Sequence, residues 1–162
     1  MKGPRLACEA ASVVTVRVLK PSEVAYVDSL LPLSRLDQQV EQGSSYLIAW
    51  EDDQPVGHAH LAWNETHLGV PEVQDVYVLP ERRSHGIATL LNHAAEQEVR
   101  ARGWDSISLS VSKDGNPAAR RLYDRLGYVD AGVDPVQVSG TIMLRGRPFE
   151  VDDTLVYLKK PL

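Results

Sequence analysis

The chain has 162 residues, 43% of them hydrophobic, which suits one globular domain with a real core. Seventeen basic side chains against 22 acidic ones leave a net charge of −5, which argues against a nucleic-acid partner and mildly favours cationic or amine substrates. No apolar run approaches the roughly 20 residues of a spanning helix, and Cys8, the only cysteine, excludes an internal disulfide.

The start, MKGPRLACEAAS, lacks the continuous apolar centre of a signal peptide. Residues 1–12 therefore read as a short flexible leader, residues 13–162 as a single domain, and the protein as cytoplasmic. Val13 to Leu19 alternates loosely and predicts a first strand. Pro21-Ser22-Glu23 opens a helix with Val24, Val27, Leu30 and Leu31 on one face, broken at Pro32. Ser34 and Asp37 have capping spacing for a second short helix through Leu36 and Val40, ending at Gly43. Two strands follow, Ser45 to Glu51 and Pro55 to Trp63, joined by the polar Asp52-Asp53-Gln54. His58 and His60 share one face of the second strand, but no acidic or cysteine partner stands at ligand spacing, so no metal site is expected. Trp50 and Trp63 read as core or hairpin packing.

The most informative stretch is Val73 to Gly103. Val73, Val76, Tyr77, Val78 and Leu79 make a β-branched, apolar run closed by Pro80. Beyond Ser84, Ile87, Leu90, Leu91, Ala94, Ala95 and Val99 recur at helical spacing, with Gly103 as the stop. Between them, Arg83-Ser84-His85-Gly86-Ile87-Ala88 puts a residue without a side chain where a helix offers unpaired N–H groups at its positive end. Such a join is a seat for a phosphate or pyrophosphate.

A further strand, Ser106 to Val111, alternates Ile107, Leu109 and Val111 with serines. In NPAARRLYDRLGY, Asn116 caps, Pro117 suits the first helical position, and Ala118, Ala119, Leu122, Tyr123 and Leu126 line one face before Gly127. Val136 to Leu144, a turn at Arg145-Gly146-Arg147-Pro148 and a last strand Thr154 to Leu158 predict an antiparallel pair closing the sheet. Glu150, Asp152 and Asp153 form an acidic run, read as a solvated turn or as an attractor for a cationic acceptor.

Arg83-x-x-Gly86-x-Ala88, set after a V-x-V-x-P strand, resembles the acyl-coenzyme A signature Q/R-x-x-G-x-G/A of the GNAT family of N-acetyltransferases. The second block is similar to that family's N-x-x-A-x-x-x-Y-x-x-x-G-F/Y, with Asn116, Ala119, Tyr123, Gly127 and Tyr128 matching in order. The resemblance implies an α/β (α+β) fold, a mixed, mostly antiparallel sheet of six or seven strands flanked by about four helices. It implies acetyl-CoA as cosubstrate, no metal, and transfer of the acetyl group to a primary amine of a small molecule or peptide by direct attack on the thioester. The rival is a non-catalytic acyl-CoA-binding sensor or regulatory module, which would need the Gly86 turn and Asn116 but neither base nor acid.

Carried over position by position, backbone groups at Val76, Tyr77 and Val78 should face the pantetheine arm, with the Val78 amide as oxyanion donor. Ser84, His85, Gly86, Ile87, Ala88 and Thr89 should hold the pyrophosphate, with Arg83 at the turn and Asn116 and Ala119 beside the arm. The pairs Arg82-Arg83 and Arg120-Arg121 lie where a phosphate-rich coenzyme would touch. The resemblance makes Tyr123 the general acid, a phenol able to protonate the leaving thiolate. Glu72 and Asp75 both stand as candidates for the base; Ser110 occupies the place of the fifth-strand glutamate of ribosomal-protein N-terminal acetyltransferases. No membrane or nucleic-acid partner is expected, and the state is monomer or homodimer.

Overall fold

The computed structural model of the chain describes residues 13–33 and 43–162. The leader with Cys8 and the short helix expected through Leu36 and Val40 lie outside the described residues.

Strands β1 (Val14–Val18), β2 (Ser44–Glu51), β3 (Gln54–Ala62) and β4 (Glu72–Val78) pair antiparallel in succession. The chain then crosses over through helix α2 (Ile87–Ala101) and enters β5 (Ser106–Ser112), which runs parallel to β4. After α3 (Pro117–Leu126) come β6 (Val129–Asp130), β7 (Val136–Leu144) and β8 (Arg147–Pro161). Among the described residues the sheet has eight strands in the order β1-β2-β3-β4-β5-β8-β6, with β7 on β8 beside that path. The third α-helix there, α1 (Val24–Leu30), comes directly after a single 3-10 turn at Pro21–Glu23.

The mixed, mostly antiparallel sheet is as expected, but it is larger. β6 is two residues long, too short for any periodicity to announce it. The final strand, read as Thr154 to Leu158, spans Arg147–Pro161 and swallows the acidic run. Those carboxylates are cross-strand acceptors rather than a turn: Thr141 Oγ1 donates to Glu150 at 2.6 Å, Gln137 Nε2 to Asp152 at 2.8 Å, and Ser112 Oγ to Asp153 at 2.7 Å.

The two faces of the sheet are covered differently. Ile87, Leu91, Ala95 and Val99, spaced by four on α2, pack with Leu47, Ala49, Ala59 and Leu61. On the opposite face Val27 and Leu31 cluster with Tyr46, Ile48 and Trp50, the alternate residues of β2. Trp50 and Trp63 are both core, as read.

A buried charge ties α2 to β8. Glu96 accepts from Lys160 Nζ at 2.9 Å, and the Tyr128 hydroxyl lies 3.4 Å away. Burial, reinforced by the Glu96 charge, pushes the Tyr128 phenol far up. Lys160→Met strands that carboxylate and should lower stability by about 2 kcal/mol, less than for a fully enclosed pair because Lys160 keeps some solvent contact. Urea unfolding of the two proteins measures it.

One irregularity sets the geometry of the central strands. β3 and β4 pass from Ala59 opposite Val76 to His60 opposite Gln74, leaving Asp75 as an extra residue with φ 45°. The bulge changes which residues face where. Gln74 and Glu72 lie on the His60 side, while Val76 and Val78 join the α2 core and Tyr77 the α1 core.

Candidate active site

Pairing between β4 and β5 is confined to Glu72 with Ser108 and Val73 with Leu109. Beyond that point the two strands part. The Leu79 amide donates to Val56 of β3 at 2.9 Å. By the alternation of a strand, the Val78 amide points the other way, toward the gap. The Val78 carbonyl accepts from Arg83 Nε at 3.0 Å, which holds the turn against the strand.

A cleft of about 650 Å³ opens here, lined by Val76, Tyr77 and Val78, by Arg83, Ser84, Gly86, Ile87, Ala88 and Thr89, and by Asn116 and Ala119. Those expected positions are brought together; His85 is not among them. Its Nδ1 folds back to the Arg83 carbonyl at 2.8 Å, leaving only its backbone near the turn. Gly86 caps α2 with φ 77° and no side-chain hydrogen bond, and an added Cβ would meet nothing within 4 Å. The first-turn amides of α2 thus open toward the cleft without a side-chain cap competing for them. Asn116 caps α3, its side chain accepting from the Ala119 amide at 3.1 Å.

The basic pairs divide differently from expectation. Arg82 lines the cleft while ion-paired to Glu51, but Arg120 reaches along its own helix to Asp124 at 3.4 Å, and neither Arg120 nor Arg121 lines the cleft. Arg125 does, with Ala118 and Leu122. The signal was present: 118, 122 and 125 recur at i, i+4, i+7, one face of the helix.

A second opening, of about 300 Å³, shares Val76, Asn116 and Ala119 with the first and continues it between the parted strands to Asp75, Ser110 and Tyr123. Tyr123 is buried, set edge-on to Tyr128 with ring centroids 5.6 Å apart. Burial pushes its phenol up, and the Asn92 side chain facing it works in the opposite direction. The two candidate bases are placed apart. Asp75 lines this opening, whereas Glu72 lies where the strands are still paired, accepting from Gln74 Nε2 at 2.7 Å and adding to the upward push on the Tyr157 phenol.

His58 and His60 share a buried face as expected, and no group that could hold a metal occurs among the described residues. Burial holds the His58 pKa down at about 4 despite the Asp75 charge, so the ring is neutral near pH 7. A depressed histidine pKa adds stability at pH values above the ordinary 6.5 and loses it as pH falls toward 4. Acid unfolding should therefore steepen across that window and flatten in His58→Gln, as read by circular dichroism against pH.

A family model described as acetyltransferase (GNAT) family matches residues 16–128, which takes in β1 through α3 and both cleft-lining turns. The chain belongs to the GNAT acetyltransferase family. A curated relative, the mycothiol acetyltransferase of Clavibacter sepedonicus, is 32% identical over 103 residues, covering 61% of this GNAT chain and 33% of that protein. The chain thus spans about a third of the length of that relative. Among solved structures, a GNAT family acetyltransferase from Elizabethkingia anophelis with acetyl-CoA bound superposes with TM-score 0.67 at 13% identity, covering 92% of this chain and 98% of that one. The ribosomal-protein-alanine N-acetyltransferase from Brucella melitensis gives TM-score 0.66 at 20% identity over 91% and 99%. These two show the shared GNAT fold.

Proposed function

We propose that this GNAT chain is an acetyl-CoA-dependent N-acetyltransferase acting on a primary amine by direct attack. The observation that carries the reading is the continuity of the two openings: a path leads from the uncapped amides at Gly86 to the Tyr123 ring through Val76, Asn116 and Ala119. That path suits a long ligand with a polyanionic head and a reactive tail. The amides of residues 86–89 hold the diphosphate with help from Arg82 and Arg125, and the exposed edge of Val76 to Val78 pairs with the amide groups of the arm.

At the reacting end each group has one task. The Val78 amide donates to the thioester oxygen as charge builds there. The amine nitrogen forms the new C–N bond, and its proton, made acidic by that bond, passes to Asp75. Tyr123 delivers a proton to the sulfur as the C–S bond breaks, then regains one from solvent, so the products are the acetamide and free coenzyme thiol. Asp75 suits the base role better than Glu72, because it alone of the two lines the opening. Calorimetry with coenzyme A and acetyl-CoA, coupled to thiol release with an amine panel, tests the reading. Coenzyme binding without turnover of any amine would favour a binding module instead.

A further inference from the structure

At the β4 bulge, side chains from three separate elements meet with polar atoms left over. Asp75 Oδ1 accepts from Arg145 Nη2 at 2.8 Å, yet among the described residues Asp75 Oδ2 is buried without a hydrogen-bond partner. Arg145 arrives from the tip of the β7–β8 hairpin, lays its guanidinium 4.2 Å over the Tyr77 ring, and keeps a buried Nε with no partner among those residues. From β3, His58 brings Nε2 to 3.9 Å from Asp75 Oδ2, too far for a hydrogen bond. Each buried donor or acceptor left unmade costs about 1–3 kcal/mol, so native folds keep few of them. Of the three residues Asp75 also lines the opening that leads to Tyr123, and Arg145 is tied to it through the Asp75 carboxylate.

The leftovers are complementary. Asp75 offers an acceptor and Arg145 a donor, one carrying negative and the other positive charge, with a His58 ring that is neutral near pH 7. A ligand that satisfies both must present a donor and an acceptor close together. A polyamine satisfies only one and brings its further charges against a guanidinium. We propose that the acceptor is a zwitterion of the α-amino acid class, its ammonium held by Asp75 Oδ2 and its carboxylate by the Arg145 guanidinium, with one ammonium proton passing through Asp75 to solvent to free the lone pair before attack. This rests on the acetyl-transfer reading and narrows its acceptor. Arg145 is then the specificity residue: it admits an amine flanked by an anion and turns away multiply cationic amines.

The test measures thiol release from acetyl-CoA with free L-α-amino acids, their methyl esters and amides, and spermidine. Wild-type protein should use one or more free acids with a KM at least about tenfold below the matching ester, the share expected of one charged hydrogen bond. Arg145→Gln should raise KM for the free acid about tenfold more than for the ester, any effect through Asp75 falling on both alike, with Arg145→Lys recovering part of the difference. Esters or spermidine used as well as free acids by wild type would overturn the proposal, and that comparison needs no variant to fold. Equal losses on acids and esters in Arg145→Gln would also overturn it, leaving Arg145 a mere prop for Asp75. No turnover of any free acid overturns it too; heat from coenzyme A in the same sample would then show that the coenzyme site survives, whereas absence of that heat would sink the acetyl-transfer reading as well.

Discussion

Tyr123→Phe should lower kcat about a thousandfold while leaving the coenzyme dissociation constant within about twofold, a loss within the span seen for general acids. The ring is buried and edge-on to Tyr128, and Phe reproduces its shape, so neither cleft nor core loses volume. What disappears is one proton, and the sulfur must then depart as a bare thiolate in a place with little water to receive it. The pH dependence adds a second signature. Burial raises the Tyr123 pKa, so the folded state favours the neutral phenol. The stabilisation is complete below the ordinary tyrosine value and fades only as pH climbs past it toward the raised one. Wild-type turnover should thus persist into alkaline solution where an exposed tyrosine would already be ionising. A fall in kcat of less than about tenfold would reduce Tyr123 to a core ring.

Gly86→Val should weaken coenzyme A binding about a hundredfold while the protein stays folded. Its φ of 77° is unfavourable for a β-branched residue, a strain of about 1–3 kcal/mol. No clash adds to this, because a Cβ there meets nothing within 4 Å. The new side chain instead projects where the diphosphate must approach the amides of α2. Calorimetry against coenzyme A, with a melting curve on the same sample, separates the two effects. Binding unchanged within about threefold would mean that the anion sits elsewhere.

Much of this was legible in the sequence alone. Pro80 and Gly86 punctuate a β-branched run and an i, i+4 apolar series, and local rules of that kind survive folding intact. The Asn116 block was equally plain, because cap, proline and terminal glycine all act within one helix. What escaped depends on partners far away in the chain. Nothing near Arg145 predicts that it will meet Asp75, 70 residues earlier. The length of β8 was hidden because its outward carboxylates look like a turn until β7 and β5 supply their donors. The extra residue in β4 left no mark either, since Asp75 has no composition signal that tells a bulge from a regular strand.

That extra residue has a counting consequence. A strand alternates with period two, so a single supernumerary position acts as a change of parity: everything after it is read by the opposite neighbours from those that its distance from Glu72 would dictate. Deleting Asp75 would therefore remove the carboxylate and leave the parity intact: Gln74 and Val76 would follow one another opposite His60 and Ala59, Val76 and Val78 would still face α2, and Tyr77 would stay on the other side. The charge at the opening and the direction of the oxyanion donor are thus separable, and a lineage that lost this one codon would forfeit the first and keep the second.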